Sequence, residues 1–263
     1  MNLYDICFHQ SISEGSIQSA KVIVPLLHQI FAPKKVIDVG CGRGEWLSEW
    51  QKQGLQKIKG LNINTEKDID LLIPPQHYQS FDLAKPYIPD ESYDLALCLE
   101  VGEHLPSESA NVLIGSLCKC APVVVFSAAV PHQGGTGHLN EQWPEYWVRL
   151  FHEKQFICYD IIRPLIWENT KISFWYRQNM LVFIRNDGKS AFSPNISNIE
   201  SNQQALNLVH PELFIQQVKK AENDLKQQAD LCRKEIDKIL EKRKSIPQTI
   251  KQLLKAFRYK FFG

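Results

Sequence analysis

Val36-Ile37-Asp38-Val39-Gly40-Cys41-Gly42-Arg43-Gly44 runs from a short apolar, β-branched stretch straight into three glycines spaced two apart. Uninterrupted apolar runs of this length are strands buried on both faces, as in a parallel sheet. The glycines that follow permit left-handed backbone and let a ligand lie against the turn without meeting side chains. Residues 44–53 then read as a helix ended by Gly54, so its N-terminus points at whatever the turn holds. A dinucleotide turn wants Gly-x-Gly-x-x-Gly. Here the spacing is Gly40-x-Gly42-x-Gly44, with Asp38 two residues before the first glycine. No Gly-Lys-Ser/Thr follows, which argues against a triphosphate loop.

Working outward, apolar residues at helical spacing over 16–31 predict a helix with Ser16 as its N-cap, closed by Pro33. Strands are expected at 35–39, 57–63, 78–83, 93–100, 123–130, 157–166 and 179–185. Helices are expected at 107–119, capped by Ser107, and at 143–154. Strands alternating with helices at this spacing mean a mostly parallel sheet covered on both faces. After Arg185 the composition turns to Asn, Ser, Gly and Gln, as in a linker. From His210-Pro211 a long helix begins, with Ile215, Val218, Leu225, Ala229, Cys232, Ile236 and Ile239 in alternating three- and four-residue steps, interrupted only by Glu222. The division expected is a domain at 1–186, a linker at 187–209 and a helical, basic extension at 210–263.

Composition is that of a protein with a real core: 263 residues, 44% hydrophobic, net charge +1. The charge is uneven. From Glu200 onward thirteen Lys/Arg face eight Asp/Glu, which leaves residues 1–199 at a net −4. No basic stripe interleaved with aromatics occurs within 1–186, which disfavours nucleic acid. Seven scattered cysteines read as free, buried thiols, and Cys118-Lys119-Cys120 has no second pair, so no metal is expected. The N-terminus lacks a basic stretch before an apolar core, and the longest apolar run is broken by Pro25 and His28, so a cytoplasmic protein is expected.

The segment 38–44 resembles motif I of class I methyltransferases, which use S-adenosylmethionine (SAM). Phe81-Asp82-Leu83 is similar to that family's adenine-contacting segment. Tyr93-Asp94-Leu95-Ala96-Leu97-Cys98-Leu99-Glu100-Val101-Gly102-Glu103-His104-Leu105 is similar to its fourth-strand motif. The resemblance covers about residues 16–186. It implies an α/β fold: a seven-stranded, mostly parallel sheet with helices on both faces and an antiparallel last strand. It also implies roles for individual residues. Asp38 would sit near the cofactor's ammonium, Gly40, Cys41, Gly42 and Gly44 would pass beneath it, and Asp82 and Leu83 would meet the adenine. Leu99 and Glu100 would lie at the carboxyl edge of strand four. The alternative for Asp82 is a turn former before Leu83, with the cofactor role preferred. Most members end strand two with a carboxylate for the ribose; this chain offers Asn62, which lacks that charge assistance, with Glu66 or Asp68 as stand-ins from the next loop. A worn, non-catalytic adaptor is the reading Asn62 motivates.

Methyl transfer is an in-line displacement in which alignment alone supplies about 7–11 kcal/mol, and a base adds roughly 10²–10⁴-fold for a hydroxyl acceptor. Two histidines stand where such a base is wanted. His104 follows strand four, where it either acts on substrate or braces the next helix. His138 lies in the loop after strand five, among Asn140, Glu141, Gln142 and Trp143. Three glycines precede these residues, which suits a substrate-gripping lid. Asn140 also reads as a helix cap and Trp147 as a core anchor. Trp175, Tyr176 and Arg177 either line the same pocket or pack a hairpin edge. Together these stretches resemble a bacterial methyltransferase subgroup that accompanies glycosyltransferases, which implies O-methylation of a sugar or glycan; a non-sugar small molecule is the alternative. The heptad stripe suits a homodimer, a partner enzyme or intramolecular packing, and the basic, aromatic end at 250–262 suits an anionic membrane face.

Overall fold

In the computed structural model the described residues are 3–63, 70–186, 206–244, 247–250, 252, 253 and 255. Glu66, Asp68, most of the expected linker and nearly all of the basic end lie outside them. The chain divides into two compact units, Met1–Leu213 and Phe214–Gly263.

The first unit is built on seven strands: β1 (Lys35–Val39), β2 (Lys57–Asn62), β3 (Tyr78–Ser80), β4 (Leu95–Leu99), β5 (Val123–Ser127), β6 (Phe156–Tyr159) and β7 (Leu181–Arg185). Their order is β3-β2-β1-β4-β5-β7-β6, parallel from β3 to β5, with β7 antiparallel to both neighbours. Every residue of β4 and β5 is buried, which is why their sequences read as unbroken apolar runs. The connections change direction between β1 and β4. At such a switch the carboxyl ends of the two strands open a crevice in which ligands of α/β sheets collect.

One core lies between the sheet and helices α1 (Leu3–Phe31) and α2 (Glu45–Lys52), around Ile23, Leu27, Trp46 and Trp50. The other lies under α3 (Ala110–Cys120) and α4 (Pro144–Glu153), around Leu113, Phe126, Trp147 and Phe151. Trp147, 2% exposed, packs its ring 5.1 Å from that of Phe126. It is the anchor the sequence suggested. Burial of an indole of this size is worth about 4–6 kcal/mol at most, from roughly 150–250 Å² of surface.

Five expectations are corrected. Ser16 does not cap α1, which starts at Leu3; its hydroxyl lies inside the helix, 2.9 Å from that of Tyr176. Residues 157–166 are not one strand: β6 ends at Tyr159, and Arg163–Ile166 forms a turn of helix, α5, with Pro164 near its start. Residues 171–178 are not a hairpin edge, because Phe174–Asn179 is a helix, α6. Ser107 and Asn140 are not caps either. A 3-10 turn at Ser107–Ser109 leads into α3, and Trp143 occupies the cap position of α4 ahead of Pro144.

The last helix, α7 (Pro211–Lys244), leaves Ile215, Leu225, Ile236 and Ile239 exposed. Cys41, Cys98 and Cys120 are buried free thiols, whereas Cys232 is exposed. Among the described residues no helix is long and apolar enough to cross a membrane.

Candidate active site

At the carboxyl end of β1 the chain turns through Gly40, Gly42 and Gly44, with φ of 90°, 56° and 93°. The Gly40 and Cys41 amides both donate to the Leu61 carbonyl, at 2.7 and 3.0 Å, which ties the turn to β2. A Cβ on Gly40 would lie 2.2 Å from Cγ2 of Val101, and one on Gly44 would lie 2.8 Å from Ile73. Glycine is therefore required twice over here, by backbone angle and by space. Arg43 reaches out to Asp70, donating to its carbonyl at 2.8 Å and its carboxylate at 2.9 Å, which ties Asp70 to the turn.

Asp38, the last residue but one of β1, is 1% exposed, and its Oδ2 accepts no hydrogen bond. Burial, then the charge of Glu45, pushes its carboxyl up to about 8. Such a group at a glycine turn lacks a cationic partner. An amino-acid ammonium would fill that need. SAM carries that ammonium on its methionine portion, so the site fits this cofactor.

The other cofactor residues predicted lie along the same sheet edge. Asn62 ends β2, where its amide donates to the Ile63 carbonyl at 3.3 Å. Asp82 follows β3; it accepts from the Ala84 amide at 3.1 Å and stands 3.4 Å from Lys85, so it does hold a turn. Leu83 is buried in the second core. Leu99 ends β4, and Glu100 after it has φ +55°, an uncommon state for a side chain of this size and one that gathers at functional sites. Its carboxylate accepts from Gln133 at 3.0 Å and from Asn179 at 3.1 Å. Burial raises the Glu100 pKa, against these hydrogen bonds and that of Ser127.

Sequence reasoning missed Glu103, Gln133 and Asn179. Glu103 is fully buried in a 3-10 turn, Gly102–His104. Neither carboxyl oxygen has a hydrogen-bond partner of good geometry. The Glu103 and Ala129 amides and the Glu100 carboxyl do lie close enough to influence it. Burial first, then the Glu100 charge, drives its pKa well above the carboxylate range. Its main-chain carbonyl accepts from the Leu139 and Asn140 amides at 2.7 and 3.0 Å, which docks the loop after β5 against β4's end. The signal available in sequence was the repeat Glu100-x-x-Glu103-His104.

That docked loop delivers His138 to His104, with ring centroids 4.9 Å apart and planes at 86°. Glu141 fixes His138 by its Nδ1 at 2.9 Å and also accepts from the His132 and Gly134 amides, at 2.8 Å each. Burial opposes ionisation of Glu141, but these three bonds hold its pKa below the usual value. The His104 pKa is lowered by burial and by His138, against a bond to the Gly137 backbone. Gly135 is thus a packing element: a Cβ on it would lie 2.2 Å from Nε2 of His138.

Of the substrate residues predicted, Trp143 is 38% exposed beside this loop, whereas Asn140 is buried, with its oxygen accepting from Gln142. The Trp175 ring lies edge-on to that of Phe174 and tilted to that of Tyr176. Tyr176 is buried against Trp46. Arg177 is buried, and its guanidinium is committed to the Ile172 and Trp167 carbonyls, His210 and Glu212. In this structure Tyr176 and Arg177 hold the fold together around the site and do not line it.

A family model described as a methyltransferase domain matches residues 17–175. Solved structures with a similar fold include Streptomyces venezuelae DesVI, at 12% identity and a TM-score of 0.50 over 70% of this chain and 97% of that one. The sugar N-methyltransferase KedS8 from a Streptoalloteichus species gives 12% and 0.50, over 70% and 93%. The methyltransferase domain of bacterial CtHen1-C gives 21% and 0.47, over 65% and 98%. No curated protein sequence matches the chain.

Proposed function

The chain belongs to the methyltransferase-domain family of SAM-dependent enzymes, and on that premise we propose that it methylates a hydroxyl of a sugar or glycan. The observation that carries the cofactor half is the uncompensated carboxyl of Asp38 beside the three-glycine turn. When bound, SAM supplies an electrophilic methyl carbon on a sulfonium. Asp38 would hold its ammonium, the 40–44 backbone its methionine portion, and Asn62 and Asp82 its nucleoside.

The acceptor half rests on the edge formed by the ends of β4 and β5. Oxygen is a poor nucleophile until its proton is lost, and His104 and His138 are the groups there suited to ease that loss. His138 is held in orientation through Nδ1 by Glu141, which leaves Nε2, beside Gly135, as the ring nitrogen to take a proton. The exposed face of Trp143 suits the apolar face of a pyranose ring. KedS8, a sugar N-methyltransferase, has the same fold, and the loop's resemblance to glycosyltransferase-associated enzymes points the same way.

Replacing His138 by alanine is expected to lower methyl transfer by about 10²-fold or more. Labelled SAM and a panel of glycosides and sugar nucleotides read this out, with the dissociation constant for S-adenosylhomocysteine (SAH) unchanged. Turnover equal to that of the parent protein would remove His138 from the reaction.

A further inference from the structure

Glu103, His104 and His138 offer ligand atoms that all lie within 4.8 Å of one another. Ligands about 2.1 Å from a single ion are ~3.0–4.2 Å apart, so shifts under ~1 Å would close the three around one ion. Two further observations set this cluster apart from an ordinary polar patch. The first is Glu103, fully buried with neither oxygen in a hydrogen bond of good geometry, an arrangement a cation would satisfy. The second is the orientation of the His138 imidazole, which is bonded through Nδ1 to the Glu141 carboxylate. A histidine that ligates a metal almost always gives its other nitrogen to a carboxylate or a carbonyl, which fixes tautomer and orientation. The His138 ring is held that way, and Gly135 lets the loop pack against it, since a Cβ there would lie 2.2 Å from Nε2.

We propose that Glu103, His104 and His138 form a site for one divalent first-row transition cation, such as Mn²⁺, Fe²⁺, Co²⁺ or Zn²⁺. Two imidazoles and a carboxylate favour these ions over Mg²⁺ or Ca²⁺, which prefer all-oxygen sites. Three protein ligands leave coordination positions open. The site itself stands on the geometry. Its use rests on the methyltransferase reading: an ion there is a Lewis acid for the acceptor hydroxyl, whose proton then leaves more readily. His104 and His138 ease that loss as ligands of the ion.

The test uses the full chain, stripped with a chelator and titrated with Co²⁺, whose visible absorption reports coordination, and with Mn²⁺ followed by electron paramagnetic resonance. One equivalent per chain is expected, with binding weakened by about 10-fold or more in Glu103→Gln and in His138→Ala. Glu103→Gln replaces a buried carboxyl whose ionisation burial opposes with a neutral amide of the same size, so that variant should fold at least as stably as the stripped parent, and its lost binding is then not lost structure. No spectral change at millimolar Co²⁺, or affinity unchanged in both variants, overturns the site. SAH binding by the stripped protein is expected to persist. A chain that binds SAH and no cation sinks this inference alone, whereas one that binds no SAH sinks the methyltransferase reading.

Discussion

Asp38→Asn will make the cofactor-free protein more stable and at the same time remove most of its affinity for SAM. The carboxyl is buried, its Oδ2 is unpartnered, and burial followed by the Glu45 charge places its pKa near 8. An acid whose folded pKa is raised gives its full contribution to stability below the unfolded pKa, here the ordinary value of 3.8. That contribution is lost as pH rises through the folded value. Between roughly pH 4 and 8 the wild type therefore weakens relative to the amide, which carries no charge. At neutral pH the gap should reach about 2–4 kcal/mol, the upper figure being some three pH units at ~1.4 kcal/mol each. Thermal unfolding of the two proteins from pH 5 to 8 checks it: the variant's advantage must widen with pH. Affinity should move the other way. A charge-assisted bond to an ammonium is worth ~1.5–3 kcal/mol, so the variant should bind SAM roughly 10- to 100-fold more weakly. Equal binding would mean that Asp38 does not hold the cofactor's ammonium.

Arg177→Ala is expected to be among the most destabilising single changes in the first unit. Its guanidinium, 3% exposed, donates to the Ile172 and Trp167 carbonyls at 2.9 Å each, engages His210 at 2.9 Å, and pairs with Glu212. The His210 amide in turn donates to Gln178 at 2.7 Å, and Arg163 donates to the Leu206 carbonyl at 2.9 Å. Together they pin residues 206–213 to α5 and α6. Truncating Arg177 strands several buried acceptors at once, for which a cost of about 3–5 kcal/mol is expected. Lysine should recover less than half of it, because one ammonium cannot reproduce a planar fork of donors. Urea unfolding measures both. A change below about 1 kcal/mol would show that this junction contributes little.

Much of the frame was legible because parallel strands buried on both faces write themselves as apolar runs. β1, β4 and β5 fall inside their expected spans, and so does the turn whose glycines have positive φ. What failed locally has local causes. Ile161 and Ile162 look like strand until Pro164 starts a helical turn, and Ser16 looks like a cap although the helix has already been running since Leu3. The site was half legible. His104 and His138 were found by their place after β4 and β5 and do meet. Arg177 read as a pocket residue because a sequence shows a guanidinium but not the carbonyls that will surround it. The Glu100–Gln133–Asn179 network joins positions up to 79 residues apart with no local signature. Glu103 was hidden inside a motif read for its neighbours.

The central claim is that the turn at 38–44 holds SAM, and calorimetric titration of the full chain with SAH at neutral pH tests it most directly. One site per chain with a dissociation constant below ~100 µM is the predicted result. No binding at ~1 mM from a folded protein would contradict it.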